Sequence, residues 1–111
     1  MNYYIVIPTY NEEKFISLTL KSIVEQTALP SKVVVVNDGS TDKTEEIVNS
    51  FVEKYSFITA INKSSDAIHL PGSKVIQAFQ KGLETLDDDY DIMVKIDADL
   101  IFPSNYFETI I

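Results

Sequence analysis

The sequence has no cysteine, a single histidine and only three glycines in 111 residues, and each shortage closes off a class of chemistry. Without cysteine there are no disulfides, no thiolate metal ligands and no cysteine nucleophile. His69 alone cannot build a zinc site from several imidazoles, so carboxylates are the remaining hard ligands. Gly39, Gly72 and Gly82 are too scattered for GxGxxG or for a P-loop. Basic side chains are also few: 9 Lys and Arg stand against 17 Asp and Glu, a formal net charge of -8. Such a charge repels a polyanion, so no nucleic-acid partner is expected. Phosphate on a small ligand stays accessible through backbone amides and a divalent cation. No apolar run reaches the roughly 18 residues of a membrane span, and no secretory leader pattern opens the chain. A cytoplasmic location is expected, with peripheral attachment to the inner face of a membrane left open.

What is present is a globular composition, 45% hydrophobic, in a chain long enough for one domain that buries roughly two thirds of its unfolded surface. YYIVI at 3–7, stopped by Pro8, reads as a strand buried on both faces. A helix is expected from an Asn11 N-cap to about Gln26, with Glu12 and Glu13 at the positive end of its dipole. KVVVV at 32–36 reads as a central parallel strand ending at Asn37. Asp42 and Glu45 resemble a capping box, opening a helix whose apolar face is Ile47, Val48, Phe51 and Val52. A third strand is expected at 57–61, a loop at 62–73, a helix over 74–86, a fourth strand at 91–96 and a helix after Pro103. The aspartates at 87, 88, 89 and 91 read as solvated linker. Strands alternating with helices imply parallel pairing and a Rossmann-like, layered α/β sheet with ligand groups at the strands' C-terminal ends.

Three polar clusters follow three of these strands: PTYNE at 8–12, NDGSTD at 37–42 and DAD at 97–99. Each alone is ordinary turn and cap chemistry; parallel strands would bring all three to one edge. Asp38 is suited to accept a hydrogen bond from the imide N–H of uracil, and the Thr9–Tyr10 region to line a base. Asp99 is suited to a hard divalent cation, because magnesium and manganese take few protein carboxylates and complete their shell with phosphate and water. In an extended segment Asp97 and Asp99 point the same way and Ala98 turns aside. Paired acids after strand one, which a receiver domain requires, are missing.

Taken together, PTYNEEKFISLTLKSIVEQ, VVVVNDGSTDKT, PGSKVIQAFQKGL and VKIDADLIFP resemble the successive signature blocks of family 2 glycosyltransferases with the GT-A fold. The resemblance implies a three-layer sandwich with a mainly parallel sheet of order 3-2-1-4. It implies that Pro8, Thr9, Tyr10 and Glu12 contact the nucleoside and Asp38 the uracil or ribose. Asp97 and Asp99 would serve ribose, metal and diphosphate, with Asp99 the metal ligand, and Lys74 would approach a phosphate or the base. The implied cofactor is manganese or magnesium, the implied donor a UDP-sugar, and the implied reaction an inverting transfer to a hydroxyl of a saccharide or lipid-linked saccharide, as in polysaccharide biosynthesis. Two positions depart from the family pattern: Asn37, where an aspartate is common, and Gln80, where an asparagine is common. The family's catalytic base and its Gln/Arg-rich acceptor motif have no counterpart before Ile111.

The 111 residues are therefore expected to be the donor-binding N-terminal part of a longer enzyme, inactive alone and self-associating through the edge of strand four. Rival expectations are a nucleotide-binding module without catalysis and a nucleotidyltransferase. The latter should carry a Gly-rich basic loop where PTYNEEK stands.

Overall fold

The two longest β-branched or aromatic runs in the chain become its two inner strands, Tyr3–Thr9 (β1) and Lys32–Asp38 (β2), in a computed structural model that describes residues 2–63, 86–87 and 89–110. Around them lie Ile16–Val24 (α1), Thr44–Lys54 (α2), Ile58–Lys63 (β3), Ile92–Lys95 (β4) and Tyr106–Ile110 (α3). The strands form one sheet of order β3-β2-β1-β4. Every pairing is parallel, with Ile5 opposite both Val33 and Val94, and Val35 opposite Ala60.

Strand alternation divides the apolar side chains between two faces. Tyr3, Ile5, Ile7, Val33, Val35 and Ile58 pack with Ile16, Leu20 and Ile23 of α1, Val48 of α2 and Phe107 of α3. Val6, Val34 and Val36 turn the other way, toward Ile61, Leu86 and Met93. Removing a side chain of this size from water contributes about 1.5–3 kcal/mol, so a strand buried on both faces is held more firmly than any half-exposed one. The layered α/β architecture and the order 3-2-1-4 are as expected. Residues 74–85 of the helix expected over 74–86, and 64–73 of the loop expected at 62–73, lie outside the described residues; Asn62 and Lys63, expected in that loop, belong to β3.

Element ends differ from expectation where polar side chains found partners across a loop. Asn11 is not an N-cap: it sits at φ 49°, and α1 starts only at Ile16, behind Phe15, with no side-chain cap. It ends at Val24, short of Gln26. Asp42 does not cap α2 in the expected way either. Its carboxylate accepts from the Thr44 amide at 2.9 Å, and Lys43 occupies the cap position. The third strand starts later and runs further than 57–61, and the fourth is shorter than 91–96.

Gln26, just past α1, is buried and bridges elements. Its amide nitrogen donates to the Ser22 and Pro103 carbonyls, and its oxygen accepts from the Phe107 amide at 3.1 Å. No helix among the described residues is long and apolar enough to cross a membrane.

The acidic stretch after residue 86 is not simply solvated linker. Asp87 accepts from the Lys32 ammonium at 2.7 Å and from the Tyr4 hydroxyl at 2.6 Å, while Asp91 accepts from the Asn2 amide at 2.7 Å. These bonds tie the approach to β4 onto β1 and β2. The Lys32 and Tyr4 bonds, in that order, hold the Asp87 carboxyl at about 2, below its ordinary 3.8. A depressed carboxyl contributes stability that is fully present above the unfolded value and is lost as pH falls through the folded one. We expect the wild-type urea midpoint to decline between pH 3.8 and about 2, and Asp87→Asn to flatten that part of the profile. Superimposable profiles for the two proteins would contradict the role given to this carboxylate.

Candidate functional site

From β1 the chain passes to β2 and then β3 on one side, and β4 returns to the opposite side of β1. Because every pairing is parallel, the C-terminal ends of β1, β2 and β4 lie at one edge of the sheet, the edge at which open parallel sheets bind ligands. The three polar clusters lie at this edge. Pro8 and Thr9 close β1 in register with Val36 and Asn37, Asp38 closes β2, and Asp97 to Asp99 follow β4 directly.

The loops after β1 and β2 are laced together. The Asn11 amide donates to the Ser40 hydroxyl at 2.9 Å, and the Asn11 side-chain oxygen accepts from the Thr41 amide at 2.8 Å. The Glu12 amide donates to the Thr44 hydroxyl at 2.8 Å, and the Glu13 amide to Asp42 at 3.3 Å. Within the second loop Gly39, at φ 70°, makes a turn that residues with a Cβ adopt at a cost. The Asn37 side chain braces that turn, accepting from the Ser40 amide at 3.2 Å and donating to Asn62 of β3 at 3.2 Å. A neutral amide can do both; the aspartate common in the family has only acceptors when ionised.

The expected site residues fall into distinct environments. Asp38 and Thr9 are buried at the strand ends, and the Thr9 hydroxyl donates back to the Ile7 carbonyl at 3.1 Å. Tyr10 is 52% exposed. Asp97 and Asp99 are both exposed while Ala98 between them is 5% exposed, but the segment is not the extended one expected: it turns at Ala98 and Asp99, where the Leu100 amide donates to the Asp97 carbonyl at 3.3 Å. Lys95 reaches Asp97 at 3.5 Å, an exposed pair that stabilises little. Lys74 lies outside the described residues.

Glu12 reports the electrostatics of this edge. Burial, then the charges of Asp99, Asp42 and Asp97, push its carboxyl above the ordinary value, so acids of the loops after β2 and β4 are felt in the loop after β1. At Asp42, partial desolvation works against ionisation, but the Thr44 hydroxyl and amide and the Glu13 amide outweigh it and hold the carboxyl low. Among the described residues no three His, Cys, Asp or Glu side chains are placed to hold a metal ion by themselves. Magnesium or manganese needs fewer, one or two carboxylates with phosphate and water completing the shell, and the exposed pair Asp97 and Asp99 fits that donor set.

Residue spacing did not reveal Asn11, Asn37, Ser40, Thr41 and Thr44 as the lacing, because their partners are 29 to 32 residues away or lie on another strand. Nor did it reveal Thr19, although a hydroxyl on the apolar face of α1 signals a buried polar group that must find a partner.

Comparison with known proteins agrees with this geometry. The sequence pattern described as "Glycosyl transferase family 2" matches residues 4–111. Glycosyltransferase GlyA of Streptococcus pneumoniae is 31% identical over 106 residues, 96% of this chain. Mannosyltransferase PcManGT from Pyrobaculum calidifontis, solved with GDP-Man and Mn2+, superposes over 92% of the chain with TM-score 0.72 and 29% identity. Glucosyl-3-phosphoglycerate synthase from Mycobacterium tuberculosis, solved with Mn2+, UDP and phosphoglyceric acid, superposes over 97% with TM-score 0.67 and 28% identity. The chain spans 14% of the length of GlyA, 28% of the mannosyltransferase and 36% of the synthase.

Asn11 gives a direct test of the loop lacing. Asn11→Ala should destabilise the domain by about 1–3 kcal/mol, combining the left-handed backbone cost with a lost acceptor. Asn11→Gly, which relieves only the backbone cost, should fall between it and the wild type. Equal stability of all three in urea denaturation would show that the lacing contributes nothing.

Proposed function

The chain belongs to glycosyl transferase family 2, and on that premise we propose that it forms the donor-binding part of an enzyme that moves a sugar from a UDP-sugar to an acceptor hydroxyl with inversion. The observation that carries the reading is the meeting of three loops at the switch point of the sheet, with Asp38, Asp97 and Asp99 at the ends of β2 and β4. Relatives of the same fold solved with manganese and UDP or GDP-mannose support it.

In this reading the base lies over the β1 and β2 ends. Tyr10 offers it an exposed aromatic ring, Pro8, Thr9 and Glu12 line the loop beside it, and Asp38 accepts its imide N–H. Asp97 serves the ribose and diphosphate side, Asp99 holds the cation, and Lys74 approaches the phosphates. A bound manganese or magnesium ion would supply charge stabilisation for the departing diphosphate. The lacing of the first two loops fixes where the base sits before the donor arrives, which reduces the ordering cost of binding. Asp97 and Asp99 are occupied on the donor side, so the base that deprotonates the acceptor is assigned to no residue of this chain.

Calorimetry with UDP, with manganese and with chelator, tests the reading. Manganese should strengthen binding to the wild type, and Asp99→Ala should abolish that gain. Asp38→Asn should weaken binding through the base by about 1.5–3 kcal/mol at most, leaving the gain from manganese intact. Equal UDP affinity with metal and with chelator would refute the metal assignment. An unchanged affinity in folded Asp38→Asn would return that residue to turn chemistry.

A further inference from the structure

The exposed aspartates at 97 and 99 follow an edge strand of only four residues, Ile92–Lys95. Such a segment has little secondary structure of its own to set the direction of its side chains, so the orientation of the two carboxylates must come from elsewhere. Three backbone bonds do part of this. The Ile96 amide donates to the Val6 carbonyl of β1 at 3.1 Å, and the Leu100 amide closes a turn on the Asp97 carbonyl at 3.3 Å. Further along, the Thr27 amide after α1 donates to the Ser104 carbonyl at 2.8 Å.

The middle residue is held differently. Ala98 has its side chain in the core beneath the sheet edge, and its carbonyl accepts from the Thr19 hydroxyl of α1 at 2.9 Å in a buried contact. Thr19 is completely buried, and it stands among Ile16, Leu20 and Ile23 on the buried face of α1, whose other polar residue, Ser22, donates to the Thr19 carbonyl at 2.7 Å. A hydroxyl there has a cost unless it is bonded, and the bond it makes goes to the peptide between the two exposed carboxylates. Gln26 continues the same seam just past the helix, joined to Pro103 and to Phe107. Helix α1 thus acts as a splint along residues 98–107.

We infer that Thr19 is a positioning residue for the Asp97 and Asp99 pair: its hydroxyl locks the Ala98 peptide, and the locked peptide aims both carboxylates out of the sheet edge toward the cation and diphosphate. The inference rests on the donor-binding reading above. Thr19 touches neither nucleotide nor cation in this account; it acts through the peptide it holds. Groups hydrogen-bonded directly to a metal's ligands commonly change its affinity about 10- to 100-fold when replaced; this hydroxyl bonds the peptide beside the ligating aspartate, one step further out, so an effect of about 10-fold at most is expected.

Thr19→Val keeps the shape and removes the donor. Thr19→Ser keeps the donor and loses a methyl. Both should be compared with the wild type and Asp99→Ala by calorimetry with UDP, with manganese and with chelator, well below each unfolding midpoint. In Thr19→Val the gain from manganese should shrink by up to roughly 10-fold, with UDP affinity in chelator unmoved, and amide exchange at Leu100 should quicken. Thr19→Ser should restore most of the gain. Should Thr19→Val not fold, Thr19→Cys, a weak donor of similar size, carries the same comparison and the same expectation. A folded variant with the full gain would overturn the positioning role while leaving the donor reading intact. A variant weakened equally with metal and with chelator would overturn it too, since that is the signature of a purely structural role. A wild type without any gain from manganese would remove the donor reading and this inference with it.

Discussion

Strand β1 has a parallel neighbour on each edge, β2 and β4, and packed side chains on each face. Once its direction is set, β2 and β4 must end where it ends, and their loops open at the same edge of the sheet. An antiparallel β4 would send Asp97 and Asp99 to the far end, away from Asp38 and Tyr10. The association of three otherwise ordinary polar turns into one site therefore depends on the burial of Tyr3 to Ile7, which no half-exposed strand could replace.

Two kinds of bracing build on that frame. Between the loops after β1 and β2, backbone amides of one loop donate to the side chains of the other, with Asn11, Ser40, Thr41 and Thr44 as the links. Between α1 and the segment after β4, the links are buried side chains, Thr19 and Gln26, bonded to main-chain groups. The edge so braced is acidic. Burial and the charges of Asp99, Asp42 and Asp97 keep Glu12 above its ordinary value, so repulsion among the carboxylates exists before any ligand is considered. Such crowding of like charge is common at binding sites and costs stability.

The sheet was legible in the sequence because uninterrupted apolar runs at 3–7 and 33–36 admit few alternatives to inner parallel strands. Its order followed from the family resemblance. The site was legible as three clusters, since a turn immediately after such a strand has only one edge on which to lie. The helix starts were not legible. Asn11 and Asp42 have good capping chemistry, but it competes with other local side-chain-to-backbone bonds and with partners in another loop. Asn11 was taken by Thr41 across the loop, and Asp42 by Thr44 and Glu13. Asp87 was misread for a related reason, because a run of like charges gives no sign that Lys32 and Tyr4, more than 50 residues earlier, stand waiting for one of its members. The bond from Thr19 to Ala98 spans 79 residues, and only the fold reveals it.

The central claim is that one edge of the sheet, at the ends of β1, β2 and β4, receives a nucleotide with its cation. Paramagnetic broadening of backbone amide signals by Mn2+ in the presence of UDP measures this most directly, since it maps the ion against every described element at once. The account predicts broadening centred on Asp97 to Leu100, extending to Thr9 through Glu12 and to Asp38 through Ser40, with Asn2, Ser31 and Ile92 at the opposite ends of the strands unaffected. Broadening centred on the acidic outer face of α2, at Glu45, Glu46 and Glu53, or on Asp87 through Asp91, would contradict it.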